Sequence, residues 1–178
     1  MQLTKVDAAI RQLDTAIELF FEKRDPVSVR TLVAAAGRIL SDLVEHKKPG
    51  ESWRSSTVKS IPTLPPKQVY DILNSTPNFL KHADQDSEGE HIFTEAENED
   101  LIFMATLECG EIHTTPLEMQ AFQLWYMASY PERFLEDNQP AQDAKVLLPT
   151  LASLPREKKI DLGAQFLAEQ KREANTAV

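Results

Sequence analysis

The chain is predicted to be an all-α, single-domain helical bundle of about six or seven helices, spanning residues 1–178. Three observations carry that expectation. Apolar residues recur at spacings of three and four over most of the length. Proline and capping residues mark one helix start after another. No persuasive run of alternating residues marks a strand, apart from a brief extended piece at His91, Ile92 and Phe93. With 178 residues and an apolar share of 42%, the chain can bury one sizeable core, and one domain is the default.

From Thr4 to Arg24, Val6, Ile10, Leu13, Ile17 and Phe20 fall on one stripe of an amphipathic helix. Asp25-Pro26 ends it and starts the next, because aspartate caps an N-terminus and proline fits the first turn. The second helix carries Val29, Leu32, Val33, Ala36, Ile39, Leu40, Leu43 and Val44, so the two form an antiparallel hairpin around which the bundle is built. Ala34, Ala35, Ala36 and Gly37 form a small-residue patch for close helix packing.

Residues 49–66 hold Pro49, Gly50, Ser52, Ser55, Ser56, Pro62, Pro65 and Pro66, too many breakers for a helix, and are expected as a long loop, a lid or an arm. Trp53 either pins that loop to the bundle or, with Arg54, stacks on a ligand. A short helix follows from Lys67 to Ser75 with Val69, Ile72 and Leu73 inward, and Pro77 kinks or restarts it. An acidic loop occupies about 84–93. Thr94 with Glu97 reads as a capping box for a helix to Ile112, helped by Glu95, Glu99 and Asp100 near its positive end. Thr115-Pro116-Leu117-Glu118 repeats that start signal and leads into Phe122, Leu124, Trp125 and Ala128. Two further helices are expected, over Pro140 to Leu151 and from Pro155 to about Ala174, the last with Ile160, Ala164 and Leu167 inward.

Nineteen basic against twenty-eight acidic residues give a net charge of −9, which opposes a general grip on phosphates and disfavours nucleic acid as a partner. Cys109 is the only cysteine, so one chain builds no disulfide framework or cysteine zinc site. The N-terminal residues carry charge where a signal peptide needs an apolar run, and no stretch reaches a membrane span, so a cytoplasmic protein without a membrane partner is expected. No phosphate loop, serine elbow or histidine pair of metal-binding spacing occurs, so neither a cofactor nor a metal is expected.

Polar chemistry concentrates in Pro77-Asn78-Phe79-Leu80-Lys81-His82-Ala83-Asp84-Gln85-Asp86. Asn78, Lys81, His82 and Asp84 are the candidate ligand-binding residues, and Asn78 and His82 the candidate catalytic ones. The more ordinary reading of His82 is a cation at a helix C-terminus, bonding the last carbonyls or pairing with Asp84. Asp84, Asp86, Glu88, Gly89 and Glu95 also fall near the spacing of a calcium loop, although Glu88 is long for position five and His91 replaces the usual aliphatic residue. A solvated acidic loop accounts for the same residues.

The opening hairpin, with its Asp-Pro joint and alanine-rich second helix, followed by Asn78, Leu80 and His82 in an Asn-x-Leu-x-His pattern, resembles the HEPN group of prokaryotic helical bundles. That resemblance covers about the first half of the chain. It implies a bundle that commonly dimerises, and a metal-independent ribonuclease chemistry in which the histidine moves a proton and an arginine stabilises the phosphate transition state. The arginine's place is taken here by Pro77, so such chemistry requires Arg30, Arg38, Arg54 or a partner's arginine. The whole chain is also similar to small uncharacterised bacterial helical proteins with an Asn-Phe-(Phe/Leu)-Lys-His-Ala-Asp segment. Two function classes follow: a homo-oligomeric or partner-bound interaction or ligand-binding protein without strong catalysis, and a HEPN-type ribonuclease-like enzyme. Calcium binding is a third, remote alternative.

Overall fold

The computed structural model describes residues 1–84 and 86–176. They form eight α-helices, one more than the upper expectation: α1 (Lys5–Phe21), α2 (Pro26–Lys47), α3 (Trp53–Ser60), α4 (Pro66–Phe79), α5 (Glu97–Ile112), α6 (Leu117–Ser129), α7 (Gln139–Leu147) and α8 (Arg156–Thr176). Short 3₁₀ turns lie at Pro131–Arg133 and Leu151–Ser153. Among the described residues there is no strand, and 91–93 belongs to no regular element.

The hairpin of α1 and α2 forms as its sequence requires. Thr4 and Asp7 close a capping box at the start of α1, and Asp25 accepts the Ser28 N–H at 2.8 Å at the start of α2. Lys23, with φ of 54°, supplies the left-handed step of the turn between them. The α2 stripe runs through Val29, Val33, Ala36, Leu40 and Val44, and Gly37 lets α5 approach, its missing Cβ lying 3.7 Å from the Ala105 Cβ. Helix α5 packs on α2, and α6 sits against α1, α5, α7 and α8. At that junction Phe20, Phe21, Phe122 and Trp125 meet largely edge to face, with centroids 5.2–5.7 Å apart. The Trp125 indole donates to the Lys159 carbonyl at 2.6 Å and tethers α6 to α8.

Several expectations are corrected. The segment 49–66 is not one loop, because α3 forms between its prolines. The Ser52 hydroxyl caps Ser55 N–H at 3.1 Å, and Glu45 of α2 accepts from Gly50 N–H and from the Ser52 and Ser55 hydroxyls at 2.6–2.9 Å. Pro77 lies inside α4 without ending it; one lost bond near the last turn costs little when the helix stops two residues on. Ile72 points outward and is 62% exposed, since α4 packs mainly on α2 and α3 through a face that buries Val69 and Thr76. The Thr94–Glu97 capping box does not form, and α5 starts after Ala96 without a side-chain cap. The buried Arg30 guanidinium takes the Glu97 carboxylate instead, donating to its Oε2 at 3.1 Å and to the Thr94 backbone carbonyl at 3.0 Å. Helix α6 likewise starts at Leu117 with no side-chain cap, and Thr115 offers its carbonyl to the Gln120 amide. The helix expected over Pro140 to Leu151 stops at Leu147 and is followed by the second 3₁₀ turn.

No described helix is long and apolar enough to cross a membrane.

Candidate functional site

Helix α4 ends at Phe79, but its backbone pattern runs one turn further. Leu80 N–H bonds Thr76 O at 3.0 Å, and His82 N–H bonds Asn78 O at 3.0 Å. Asn78 and His82 therefore stand one above the other at i and i+4, facing the same way. The acidic loop then folds back over α4. His91 anchors it, sharing a 2.7 Å hydrogen bond between its Nε2 and the Thr76 hydroxyl while its ring stacks on Phe79 with centroids 5.1 Å apart. A tight turn at Asp86–Gly89, closed by a 2.7 Å backbone bond, completes the return.

The result is an open cleft of about 660 Å³ at the end of α4, walled by Asn78, His82, Asp84 and Ser75 together with Asp86, Glu90, Phe79 and His91. Three of the four expected binding residues converge there. Lys81 is exposed on the same turn but is not part of the wall. The His82 imidazole makes no hydrogen bond to another described residue, so neither helix carbonyls nor Asp84 hold it. His91 and Glu90 are the additions that the local motif did not reveal, because they arrive only when the loop returns.

Three carboxylates face two imidazoles and one amide, giving the wall a charge of about −3 when the histidines are neutral. Such a cleft repels phosphate and attracts a cation. None of the three arginines available to a ribonuclease site lines it. Arg30 is engaged by Asn98, Thr94 and Glu97, Arg38 pairs with Asp42 at 3.0 Å, and Arg54 donates to Asn74 at 2.8 Å. They line a neighbouring cleft between α2, α4 and α5 instead, of about 410 Å³, which shares Ser75 and His91 with the first. The calcium reading fares differently from the cleft. Glu95, its position-twelve ligand, is drawn to Arg156 at 2.9 Å, and among the described residues no three His, Cys, Asp or Glu side chains are arranged to hold a metal.

Sequence reasoning also passed over a charged cluster that ties α5 to the C-terminal segments. Glu99 is buried, receives Arg156 Nε at 2.6 Å and bonds the Tyr130 hydroxyl. Asp100 beside it binds Arg133 and the Tyr126 hydroxyl. These contacts fasten α5 to the C-terminal helices.

Comparison with family models, curated proteins and solved structures finds no match to this chain.

Proposed function

We propose that the protein is a non-catalytic ligand-binding or interaction protein whose site is the cleft at the end of α4, and that the cleft takes a cationic group such as a lysine or arginine side chain of a partner. The observation that carries this reading is the convergence of Asp84, Asp86 and Glu90 with Asn78, His82 and His91 on one open wall. The carboxylates supply the attraction, and the amide and imidazoles supply directed hydrogen bonds. Catalysis of the ribonuclease type finds less support. His82 and Asn78 are side by side, but an acidic wall without a guanidinium gives a phosphate transition state nothing to lean on.

Calorimetric titration with tetra-arginine tests the reading. Saturable, salt-sensitive binding is expected, weakened about tenfold or more in the Asp84→Asn, Asp86→Asn, Glu90→Gln triple variant, whose changes fall on exposed residues. Absence of binding, or equal binding by the triple variant, would overturn it. Self-association belongs to the same proposal and is supported by the apolar side chains of Ile72 and Ile92 standing in solvent. Light scattering should give twice the chain's 20.1 kDa, and a species of 20.1 kDa at every concentration would end that part.

A further inference from the structure

The neighbouring cleft has a chemistry of its own, centred on Arg54. This arginine is 8% exposed, yet among the described residues it forms no ion pair. Its guanidinium lies near the Trp53 and Tyr70 rings, 5.9 and 5.5 Å from their centroids, and one nitrogen donates to Asn74. Those contacts orient the fork without neutralising it. Arg38, itself paired with Asp42 at 3.0 Å, lies close by, and burial followed by that like charge pulls the Arg54 guanidinium below its ordinary pKa, with Tyr70, Asp42 and Glu108 only partly opposing the shift. Two carboxylates on the same wall do not answer the charge. Glu97 is already paired with Arg30, and Asp100 with Arg133. Glu108, behind Arg54, has one oxygen on the Trp53 backbone N–H, and burial raises its pKa to about 7, so it is a weak counter-charge. A buried charge without a partner is costly, and an incoming anion would relieve it.

Apart from Arg30, Ser75, Thr76 and His91, the rest of the cleft is apolar. Val33, Ala34 and Gly37 of α2 form one side, and Trp53, Leu73 and the exposed Ile72 and Ile92 form the other. A volume of about 410 Å³ is that of a site for a small organic molecule.

We propose that this cleft binds a small amphiphilic anion, an apolar body carrying one carboxylate or phosphate, with Arg54 and Arg38 holding the anion and Ile72, Leu73 and Ile92 covering the body. The site shares Ser75 and His91 with the cation cleft but none of its carboxylates, so the two binding proposals can fail separately; its Ile72 and Ile92 also support self-association, which light scattering of the Ile92→Asp variant reads independently.

The test is an NMR titration of the two indole N–H signals with octanoate, octyl phosphate, octanol and octylammonium. Trp53 lies on the cleft wall, whereas Trp125 is locked in the core on the Lys159 carbonyl and serves as an internal control. Octanoate, octyl phosphate or both should shift the Trp53 signal saturably, with half-saturation at about 1 mM or below, and leave Trp125 in place. Which of the two binds identifies the headgroup. Arg54→Gln should weaken binding about tenfold. Should that variant fail to fold, Arg38→Ala and Ile92→Asp, both on exposed residues, should each weaken it about threefold or more, and Leu135→Ser, outside the cleft, should not. The proposal is overturned if neither anion shifts Trp53 saturably, if octanol or octylammonium binds as well as the anions, or if Arg38→Ala and Ile92→Asp leave the affinity unchanged.

Discussion

Gly163 of α8 is the position where one methyl group should matter most. A Cβ built there would stand 2.6 and 2.8 Å from Trp125 Cδ1 and Nε1, and nearer still to Phe21 Cε1. Neither ring can yield easily. Trp125 is fully buried and held by its bond to Lys159 O, and Phe21 packs edge-on against it with centroids 5.4 Å apart. In an open helix interior, Gly→Ala is stabilising by about 1 kcal/mol. Here overpacking costs roughly 1–3 kcal/mol or more, and displacing the indole forfeits a hydrogen bond of about 1 kcal/mol, so the clash wins. Gly163→Ala should therefore lose about 2–3 kcal/mol, which lowers the melting temperature by roughly 4–12 °C for a chain of this size. Gly37→Ala is the matched control, because its Cβ would meet only the Ala105 Cβ at an ordinary 3.7 Å, and it should gain about 0.5–1 kcal/mol. Urea unfolding followed by far-ultraviolet circular dichroism measures both, with the slope expected to stay constant. A Gly163→Ala protein as stable as the wild type would refute the packing of α6 on α8 described above.

Stability should fall as the pH rises from about 4 to about 7. Burial lifts Glu108 from 4.5 to about 7, and burial with the charges of Glu118 and Glu18 lifts Asp14 from 3.8 to about 6. Across that window the folded state holds more protons than the unfolded one, so raising the pH favours unfolding. Glu108→Gln, which keeps an acceptor for the Trp53 N–H, should flatten the profile and stabilise the fold above pH 7 by up to about 3 kcal/mol, as denaturant midpoints at pH 5 and 8 would show. Glu99→Ala should cost about 1–3 kcal/mol by leaving the Tyr130 hydroxyl without its acceptor and Arg156 with Glu95 alone, whereas Glu99→Met with Arg156→Met should lose less, and thermal melts of the two distinguish an ion pair from simple packing. Thr76→Val removes the hydroxyl that binds His91 and should free the returning loop, seen as faster amide exchange over residues 86–93 with little change in global stability.

What the sequence disclosed and what it hid divide along the range of the interactions. The α1–α2 hairpin was legible because its periodicity, the Asp25 cap and Pro26 all act within a few residues. Helix α3 was not, since it depends on Glu45 reaching from α2 to gather three donors. The start of α5 was misread because Arg30, 67 residues away along the chain, captures the Glu97 carboxylate that a capping box would use. The same division runs through the site. Asn78 and His82 share a helical turn and could be paired from spacing alone, and Asp84 follows them directly. His91 and Glu90 join only through the loop's return to Thr76 and Phe79. Arg54 was read as a loop residue able to stack on a ligand with Trp53, but its burial by α3 and α4 beside the Trp53 and Tyr70 rings depends on contacts that spacing does not show.

The most direct test of the proposed function observes the imidazole signals of His82 and His91 by NMR while the wild-type protein is titrated first with tetra-arginine and then, in a separate sample, with a short single-stranded RNA. The account predicts that the basic peptide moves both imidazole signals saturably, that the RNA moves neither, and that the RNA stays intact. Cleavage of the RNA by the wild type and its loss in His82→Ala would contradict the account and establish the ribonuclease chemistry instead.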